Sequence, residues 1–385
     1  DRRHRSLAWG ALLTLSALVH TYFLAMCVPI WIASLVGRRG KREFSAPWWL
    51  EVPAVLAAIG AALWLGGFFP LRSSLMTYGY GIFSLNLLSL VNPNGSFVGP
   101  WSWSAILPML PQGGGEYEGF NYLGAGGLVA VIVGLVLAWL DRAAYARRHL
   151  WPLAIAAIAL ALFAITPKVT VADLQLTIPV PRLVYALAGS IRASGRFFWP
   201  VFYMIVLGAL WLCNRRFGSR VTGPLLLVLA ALQIYDTYPG WGSFTSKFAL
   251  DATSWQTPLS DPRLVAVASH YAAVRALPAT NQVPGWDQIA YFALRNHKPT
   301  DAVYLARPND AAYAQYNARL DQRIALHGLE SDSIYFLDRI YAHKIAATMA
   351  PADAMFQVGR FYVFAPGWRR FGVATDLPPV TDFWR

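Results

Sequence analysis

Long apolar runs alternate with short polar stretches through the first 236 residues of the chain. A helix needs about 20 apolar residues to cross a bilayer. The pattern predicts five single spans, near 52–69, 123–140, 151–165, 197–213 and 221–235. The first run, 7–36, is too long for one span and too short for two full ones, so it predicts a short helical hairpin that bends near His20, Thr21 and Tyr22. Two outer loops remain, 70–121 and 166–196.

The outer loop 70–121 is rich in Tyr, Trp and Leu and poor in charged residues, which is unusual for a flexible loop. Aromatic and leucine side chains favour the membrane interface. We therefore expect short interfacial helices here, broken at Gly79, Pro93 and Pro108.

The pattern changes after Asp236, where apolar runs become short and charges balance. Near-alternating stretches at 333–337 and 356–364 predict strands, and 310–326 and 338–349 predict helices. Residues 237–385 are thus expected to form a soluble α/β domain, within the usual size range of domains.

Composition supports a polytopic membrane protein. Hydrophobic residues make up 56% of the 385 residues and charged residues 14%, with a mean hydropathy of +0.40, which is too apolar for an ordinary soluble protein. The net charge of +12 does not indicate a nucleic-acid partner. Residues 1–236 hold 18 Lys or Arg against 8 Asp or Glu, and residues 237–385 hold 14 against 12, so the excess lies between the apolar runs.

Most of these basic residues fall in four clusters, 2–5, 38–42, 142–148 and 215–220. If all four are cytoplasmic, an even number of crossings separates the first two, which favours the hairpin. The same parity predicts that the C-terminal domain lies on the non-cytoplasmic side. Because the chain begins at Asp1 inside the first cluster, we expect it to be the C-terminal part of a longer protein.

Signatures of several common chemistries are missing from the sequence. There is no phosphate-cradling glycine loop with a lysine and no nucleophile elbow. Four histidines of the C-terminal region lack metal-ligand spacing: His270, His297, His327 and His343. Cys27 and Cys213 lie in apolar runs and say nothing about disulfides. We assign no metal site and no cofactor from the sequence, and whether the protein depends on a metal cannot be read from the residues.

The stretch GGGEYEGFNYLGAG, residues 113–126, directly precedes a predicted span. Its carboxylates, Glu116 and Glu118, have two explanations of equal weight. They could satisfy free N–H groups and favour the positive end of a helix. Alternatively, they could face a substrate, because acids this close to a membrane are costly without a function.

The stretch IRASGRFFWP, residues 191–200, also precedes a predicted span. Arg192 and Arg196 are four residues apart and would share one face of a helix. They could anchor the helix end by extending to the interface. We favour a phosphate clamp, because guanidinium groups match phosphate oxygens and Gly195 allows a headgroup to approach the backbone.

Together, YGYGIFSLNLLSLVNP, EYEGFNYLGAG, IRASGRFFWP and the terminal GRFYVFAPGW resemble an uncharacterised family of bacterial inner-membrane proteins, grouped with the GT-C glycosyltransferases. The resemblance implies a mainly α, GT-C-like helix bundle with interfacial helices in its outer loops, plus a soluble α/β domain in the periplasm. It also implies an enzyme that transfers a sugar from a polyprenyl-phosphate carrier to a glycan or other envelope acceptor. GT-C enzymes usually carry their catalytic acid in the first outer loop, near the N-terminus, which this chain lacks.

On this hypothesis each polar group has an expected function. Arg192 and Arg196, with Ser194, would bind the carrier phosphate and stabilise its developing charge. Glu116 or Glu118 would orient hydroxyl groups or act as the base. Four side chains are candidates to bind the sugar or acceptor, although each could equally cap a helix or turn: Tyr117, Asn121, Asn86 and Asn92.

Two other functions remain open from the sequence. One is a transporter or flippase for a lipid-linked substrate, although the predicted spans lack central charges. The other is a non-catalytic scaffold for envelope assembly. The donor sugar, the acceptor and the oligomeric state cannot be read from the residues.

Overall fold

The computed structural model describes residues 2–40, 48–69, 79–95, 101–140, 150–248, 255, 257–305 and 308–380. The chain divides into two compact units, Asp1–Leu250 and Asp251–Arg385. This boundary falls after the one predicted at Asp236, because one helix continues through that residue to Phe248. The charged Asp236 looked like the end of a span, but it is buried within the first unit.

Helices predominate in the first unit. They are α1 (Arg2–Val19), α2 (Thr21–Gly40), α3 (Trp48–Leu65), α4 (Gly124–Leu140), α5 (Trp151–Ile165), α6 (Arg182–Ala188), α7 (Trp199–Phe217) and α8 (Ser219–Phe248). Each predicted span lies at least largely within one of these helices. Within the described residues, three segments are long and apolar enough to cross a membrane: Thr21–Arg38, Ser194–Phe217 and Ser219–Gly242.

α1 and α2 form an antiparallel hairpin whose break falls at His20, one of the residues where the sequence predicts the bend. The far ends of the hairpin meet at Glu51 of α3. Ser6 Oγ donates a hydrogen bond to its Oε2 over 2.7 Å, and Arg38 Nη2 donates to its Oε1 over 2.6 Å. Because both charged side chains are buried, this pair ties all three helices together.

Small residues allow α4 to pack closely against α7 and α8. A Cβ placed on Gly134 would lie 2.8 Å from Ala209 of α7, and one placed on Gly126 would collide with the carbonyl oxygen of Leu229 in α8. Carbon atoms normally pack at about 3.5–4.0 Å. These glycines therefore set the spacing of the three helices.

The outer loops differ from the prediction. Residues 79–95 form turns and residues 101–115 are mostly irregular, so neither forms the predicted interfacial helices, and the first helical element among the described residues of this loop is the 3-10 helix Glu116–Gly119. Their backbone groups bond to other segments, as where Leu85 N–H donates to the Ala164 carbonyl. The rest of the predicted helical region, 70–78 and 96–100, lies outside the described residues. The second loop contains a hairpin of β1 (Lys168–Val171) and β2 (Leu174–Thr177).

The second unit contains a four-stranded sheet of order β3-β4-β6-β5. The strands are β3 (Ala273–Leu277), β4 (Ser333–Leu337), β5 (Ala354–Val358) and β6 (Phe361–Ala365). β3 is parallel to β4, while β6 is antiparallel to both β4 and β5. Hence β3, β4 and β5 all point the same way.

Helices cover both faces of this sheet. They are α9 (Pro262–Ser269), α10 (Trp286–Arg295), α11 (Asp310–Ala325) and α12 (Arg339–Ala346). Alternate strand residues such as Ile334 and Phe336 pack with α9 and α10, and their neighbours Tyr335 and Leu337 pack with α11 and α12. The predicted strand 333–337 is confirmed. The predicted strand 356–364 is wrong as a single element, because Gly359 and Arg360 turn it into the β5–β6 hairpin.

Candidate functional site

Three loop segments of the first unit meet through glycine contacts. The 3-10 helix Glu116–Gly119 packs against a second one, Ser194–Phe198, and both contact the turn at 79–95. Gly195 N–H donates to the Phe83 carbonyl over 2.8 Å. A Cβ on Gly195 would lie 2.6 Å from Gly119 Cα, and one on Gly119 would lie 2.5 Å from the Ser84 carbonyl oxygen. Side chains at either glycine would therefore force the segments apart.

This packing brings Glu118 and Arg196 together. Arg196 donates a hydrogen bond from Nε to Glu118 Oε2 over 2.6 Å, and its Nη2 lies 2.6 Å from the same oxygen in an ion pair. The Glu118 side chain is 15% exposed and the Arg196 side chain is 35% exposed. Among the described residues, Glu118 Oε1 accepts no hydrogen bond. One carboxylate oxygen therefore holds the arginine while the other stays available.

Arg192 lies in an irregular segment just before the second 3-10 helix, so the shared helical face that its spacing from Arg196 would give does not form. Its guanidinium carbon lies 4.5 Å from the centre of the Phe83 ring, a cation–π contact. Phe83 in turn makes an edge contact with Tyr117, with ring centres 6.0 Å apart. Within the described part of the chain, the exposed Arg192 forms no ion pair.

Glu116 occupies a different environment. Only 4% of it is exposed, and its Oε2 accepts hydrogen bonds from Gly113 N–H over 2.7 Å and from Asn86 Nδ2 over 2.9 Å. These bonds close the turn that starts the 3-10 helix. The structural explanation of the acidic stretch therefore accounts for Glu116, while Glu118 is partly exposed and pairs with Arg196.

The remaining predicted site residues bond mainly to backbone. Asn86 also donates to the Ala172 carbonyl, Asn92 bonds to both backbone groups of Leu110, Asn121 donates to the Gly119 carbonyl, and Ser194 Oγ donates to the Phe83 carbonyl. All four are buried. These contacts hold the loops in shape, and sugar or phosphate binding by the four side chains stays a prediction.

Sequence reasoning overlooked Asp236, a fully buried carboxylate in α8. Its Oδ2 accepts from Tyr122 Oη over 2.6 Å and from Ala125 N–H over 2.8 Å, and its Oδ1 accepts from Ser104 Oγ. An acid at the end of an apolar run is the signal that could have found it. Its bonds link α8, the start of α4 and the loop at 101–107, so we assign it to structure.

Among the described residues, no group of three or more His, Cys, Asp or Glu side chains is arranged to hold a metal ion. The charged side chains of this candidate site are Glu118, Arg196 and Arg192.

Comparison with protein families gives two matches. Residues 1–238 match a domain of unknown function, DUF6311, and residues 263–366 match the DUF6311 C-terminal domain. No curated protein and no solved structure matches the chain. The resemblance to an uncharacterised family is thus confirmed, and its grouping with the GT-C glycosyltransferases stays a prediction.

Proposed function

The chain belongs to the DUF6311 family, and we propose that it is a GT-C-like membrane glycosyltransferase. It transfers a sugar from a polyprenyl-phosphate-linked donor to an envelope acceptor on the periplasmic side of the bacterial inner membrane. The observation that carries the proposal is the pairing of Glu118 with Arg196 next to an exposed arginine, Arg192.

Membrane insertion is supported by apolar side chains that point outward from the helices. Leu135 and Trp139 of α4, Leu162 of α5 and Leu227 of α8 are each more than half exposed. Helices that are apolar all round are stable only when they are buried in protein or surrounded by lipid. The proposed lipid environment removes the cost of this exposure.

In the proposed reaction, an acceptor hydroxyl oxygen attacks the anomeric carbon of the sugar. The bond from that carbon to the phosphate oxygen breaks, and the polyprenyl phosphate leaves with the bonding electrons. Arg192 and Arg196 stabilise the negative charge on the leaving phosphate. Glu118 orients the acceptor hydroxyl through Oε1 and takes its proton. Arg196 thus contacts both the acid and the phosphate.

Binding of the carrier tests the arginines. The full chain is placed in lipid nanodiscs and titrated with a fluorescent short-chain polyprenyl phosphate. Arg192→Gln and Arg196→Gln should each weaken binding by about tenfold, since each removes a charge-assisted contact. Arg182→Gln, which changes an exposed arginine of the same outer loop, should bind like wild type. Unchanged affinity in both site variants would reject the clamp.

Sugar transfer tests the acid. Wild-type protein is incubated with a panel of polyprenyl-phosphate sugars and envelope glycans, and released polyprenyl phosphate is measured. Glu118→Gln should reduce turnover by about 100-fold or more if Glu118 is the base. If Glu118→Gln lowers thermal stability but keeps full turnover, Glu118 has a structural function and is not the base. Movement of intact carrier across the bilayer without cleavage would instead identify a flippase.

A further inference from the structure

A cavity of about 510 Å³ opens in the second unit beside β3, the edge strand of its sheet. This volume lies within the range of small-molecule sites. Tyr313 and Tyr316 of α11 line the cavity, and so does Arg275 of β3. Because the two tyrosines are three residues apart, they share one face of the helix. The helix therefore supplies aromatic rings to the cavity, and the strand supplies a charged group.

Two asparagines hold the walls of this cavity in place. The Asn317 side chain accepts a hydrogen bond from Ala279 N–H over 3.1 Å and donates one to the Ala279 carbonyl over 2.7 Å. The Asn281 side chain likewise donates to the Leu305 carbonyl over 2.9 Å and accepts from Leu305 N–H over 2.7 Å. Ala279 and Leu305 both line the cavity. These paired bonds fix the walls before a ligand arrives, which lowers the entropy cost of binding.

Asp301 also lines the cavity. Its Oδ1 accepts the N–H of Ala276 over 2.8 Å and so satisfies a backbone group of the edge strand. Among the described residues, no other residue donates a hydrogen bond to Oδ2. Burial raises the pKa of the Asp301 carboxyl. A ligand that donated a hydrogen bond to Oδ2 would therefore offset part of the cost of burying this carboxylate.

The other charged groups of the lining offset each other. Arg275 Nε lies 3.6 Å from Glu330 Oε2, and Glu330 Oε1 lies 3.7 Å from Arg323 Nη2. Arg275 and Glu330 both line the cavity and keep exposed surface. Because 3.6 Å is long for a hydrogen bond, the donors of Arg275 remain able to bond to a ligand. A lining in which both signs nearly balance favours a neutral ligand with hydroxyl groups over a strongly charged one.

We propose that this cavity binds a saccharide, a neutral ring with hydroxyl groups around its edge and C–H groups on its faces. A C–H face of the sugar packs against the ring of Tyr316, where an apolar surface meets an aromatic one. One sugar hydroxyl donates to Asp301 Oδ2, and others accept from Arg275 and from Asn309 Nδ2, which also lines the cavity. A hydroxyl group both donates and accepts, which matches this mixed lining. The binding does not depend on the transferase activity proposed for the first unit.

Ligand-observed NMR titration of the full chain in nanodiscs tests the site with the methyl glycosides of glucose, galactose, mannose, N-acetylglucosamine and rhamnose. At least one of these sugars should bind saturably. Cyclohexanol, cyclohexylamine and cyclohexanecarboxylate are the control probes, because each has a six-membered ring without the set of hydroxyl groups. All three should bind more weakly than the best glycoside. If no glycoside binds, or if any control probe binds as tightly as the best one, the inference is wrong. The titration needs no lipid donor and no turnover, so its outcome is separate from that of the transferase assay.

Variants that remove one contact assign the binding to the cavity. Tyr316→Ala should weaken binding of the best glycoside by about tenfold, because the sugar loses the ring against which it packs. Tyr316→Phe, which keeps the ring, should retain most of the affinity. Asp301→Asn should also weaken binding by about tenfold, since an amide donor replaces a charged acceptor. Tyr304→Ala is the matched control, because Tyr304 is similarly exposed but does not line the cavity, and it should bind like wild type.

A variant that fills the cavity gives a second test. Ala312 of α11 lines the cavity, and Ala312→Trp should abolish binding without changing its charge. Ala314→Trp adds the same side chain at an exposed position of α11 outside the lining and should leave binding intact. If Tyr316→Ala, Asp301→Asn and Ala312→Trp all bind the sugar like wild type, the inference is wrong.

Discussion

Replacing Gly195 with alanine tests whether close backbone contact assembles the site of the first unit. The new methyl group would lie 2.6 Å from Gly119 Cα and 2.8 Å from Gly119 N. Non-bonded carbon atoms normally approach no closer than about 3.5–4.0 Å. The two 3-10 helices must therefore move apart by about 1 Å, and this movement stretches the Glu118–Arg196 contact.

The expected cost follows from the same geometry. Extra methyl groups in well-packed regions typically cost about 1–3 kcal/mol. The ion pair contributes about 1 kcal/mol or less, because Arg196 is partly exposed and solvent screens the pair. We therefore expect Gly195→Ala to lower the free energy of unfolding by about 1–4 kcal/mol. A displacement of about 1 Å at a reacting group can reduce turnover by about 100-fold.

Chemical unfolding in detergent measures the first effect and the sugar-transfer assay measures the second. Gly208→Ala in α7 is the matched control, because no other group lies within 4 Å of its added Cβ. This control should be as stable as wild type or more stable by up to about 1 kcal/mol. If the two variants unfold alike, the close-contact explanation fails. If Gly195→Ala acts by stretching the pair, its effect should also be smaller in a Glu118→Gln background.

Three further predictions concern buried polar groups. Asp236→Asn should lower the free energy of unfolding by about 1–3 kcal/mol, because an amide N–H₂ donor replaces a carboxylate oxygen that accepts hydrogen bonds. In the same unfolding assay, Asp173→Asn, which changes an exposed aspartate, should have little effect. Arg38→Leu and Glu51→Leu should each lower the free energy of unfolding by about 3–5 kcal/mol, because each leaves a buried charge unpaired. The double variant should lose less stability than either single variant, and a loss equal to the sum of the two would contradict this explanation. Burial raises the pKa of Asp301, whose Oδ1 accepts the Ala276 N–H, so native protein loses stability as the pH rises from the ordinary aspartate pKa through the raised one. Asp301→Asn should remove this pH dependence and be more stable than wild type at pH 7. If the free energies of unfolding of wild type and Asp301→Asn change equally from pH 4 to 7, the explanation is wrong.

The sequence allowed the helices of the first unit to be predicted well because their apolar runs are long and bounded by charges. It also indicated that EYEG and RASGR belong to one site, since both glycine-containing stretches directly precede a span on the same predicted side. It did not show that Arg192 stacks on Phe83 while Arg196 pairs with Glu118. That difference depends on the tertiary position of the turn at 79–95, which no local pattern encodes.

Two predictions failed at residues that commonly end a helix or a strand. Asp236 suggested the end of a helix, yet α8 continues past it because partners from the start of α4 and from residues 101–107 satisfy the aspartate. Gly359 should have divided the predicted strand 356–364, since a glycine at positive φ suits a two-residue hairpin turn. The first error arose because tertiary contacts satisfied a buried charge, and the second because a local turn signal was overlooked.

The bonds to Asp236 set limits on how this protein can be recombined with its relatives. Ser104, Tyr122 and Ala125 all converge on that one carboxylate from a segment more than 100 positions earlier in the chain. A chimera with a crossover anywhere between 125 and 236 inherits the donors from one parent and the acceptor from the other. Crossovers before residue 101 or after 248 keep this set of partners within one parental segment.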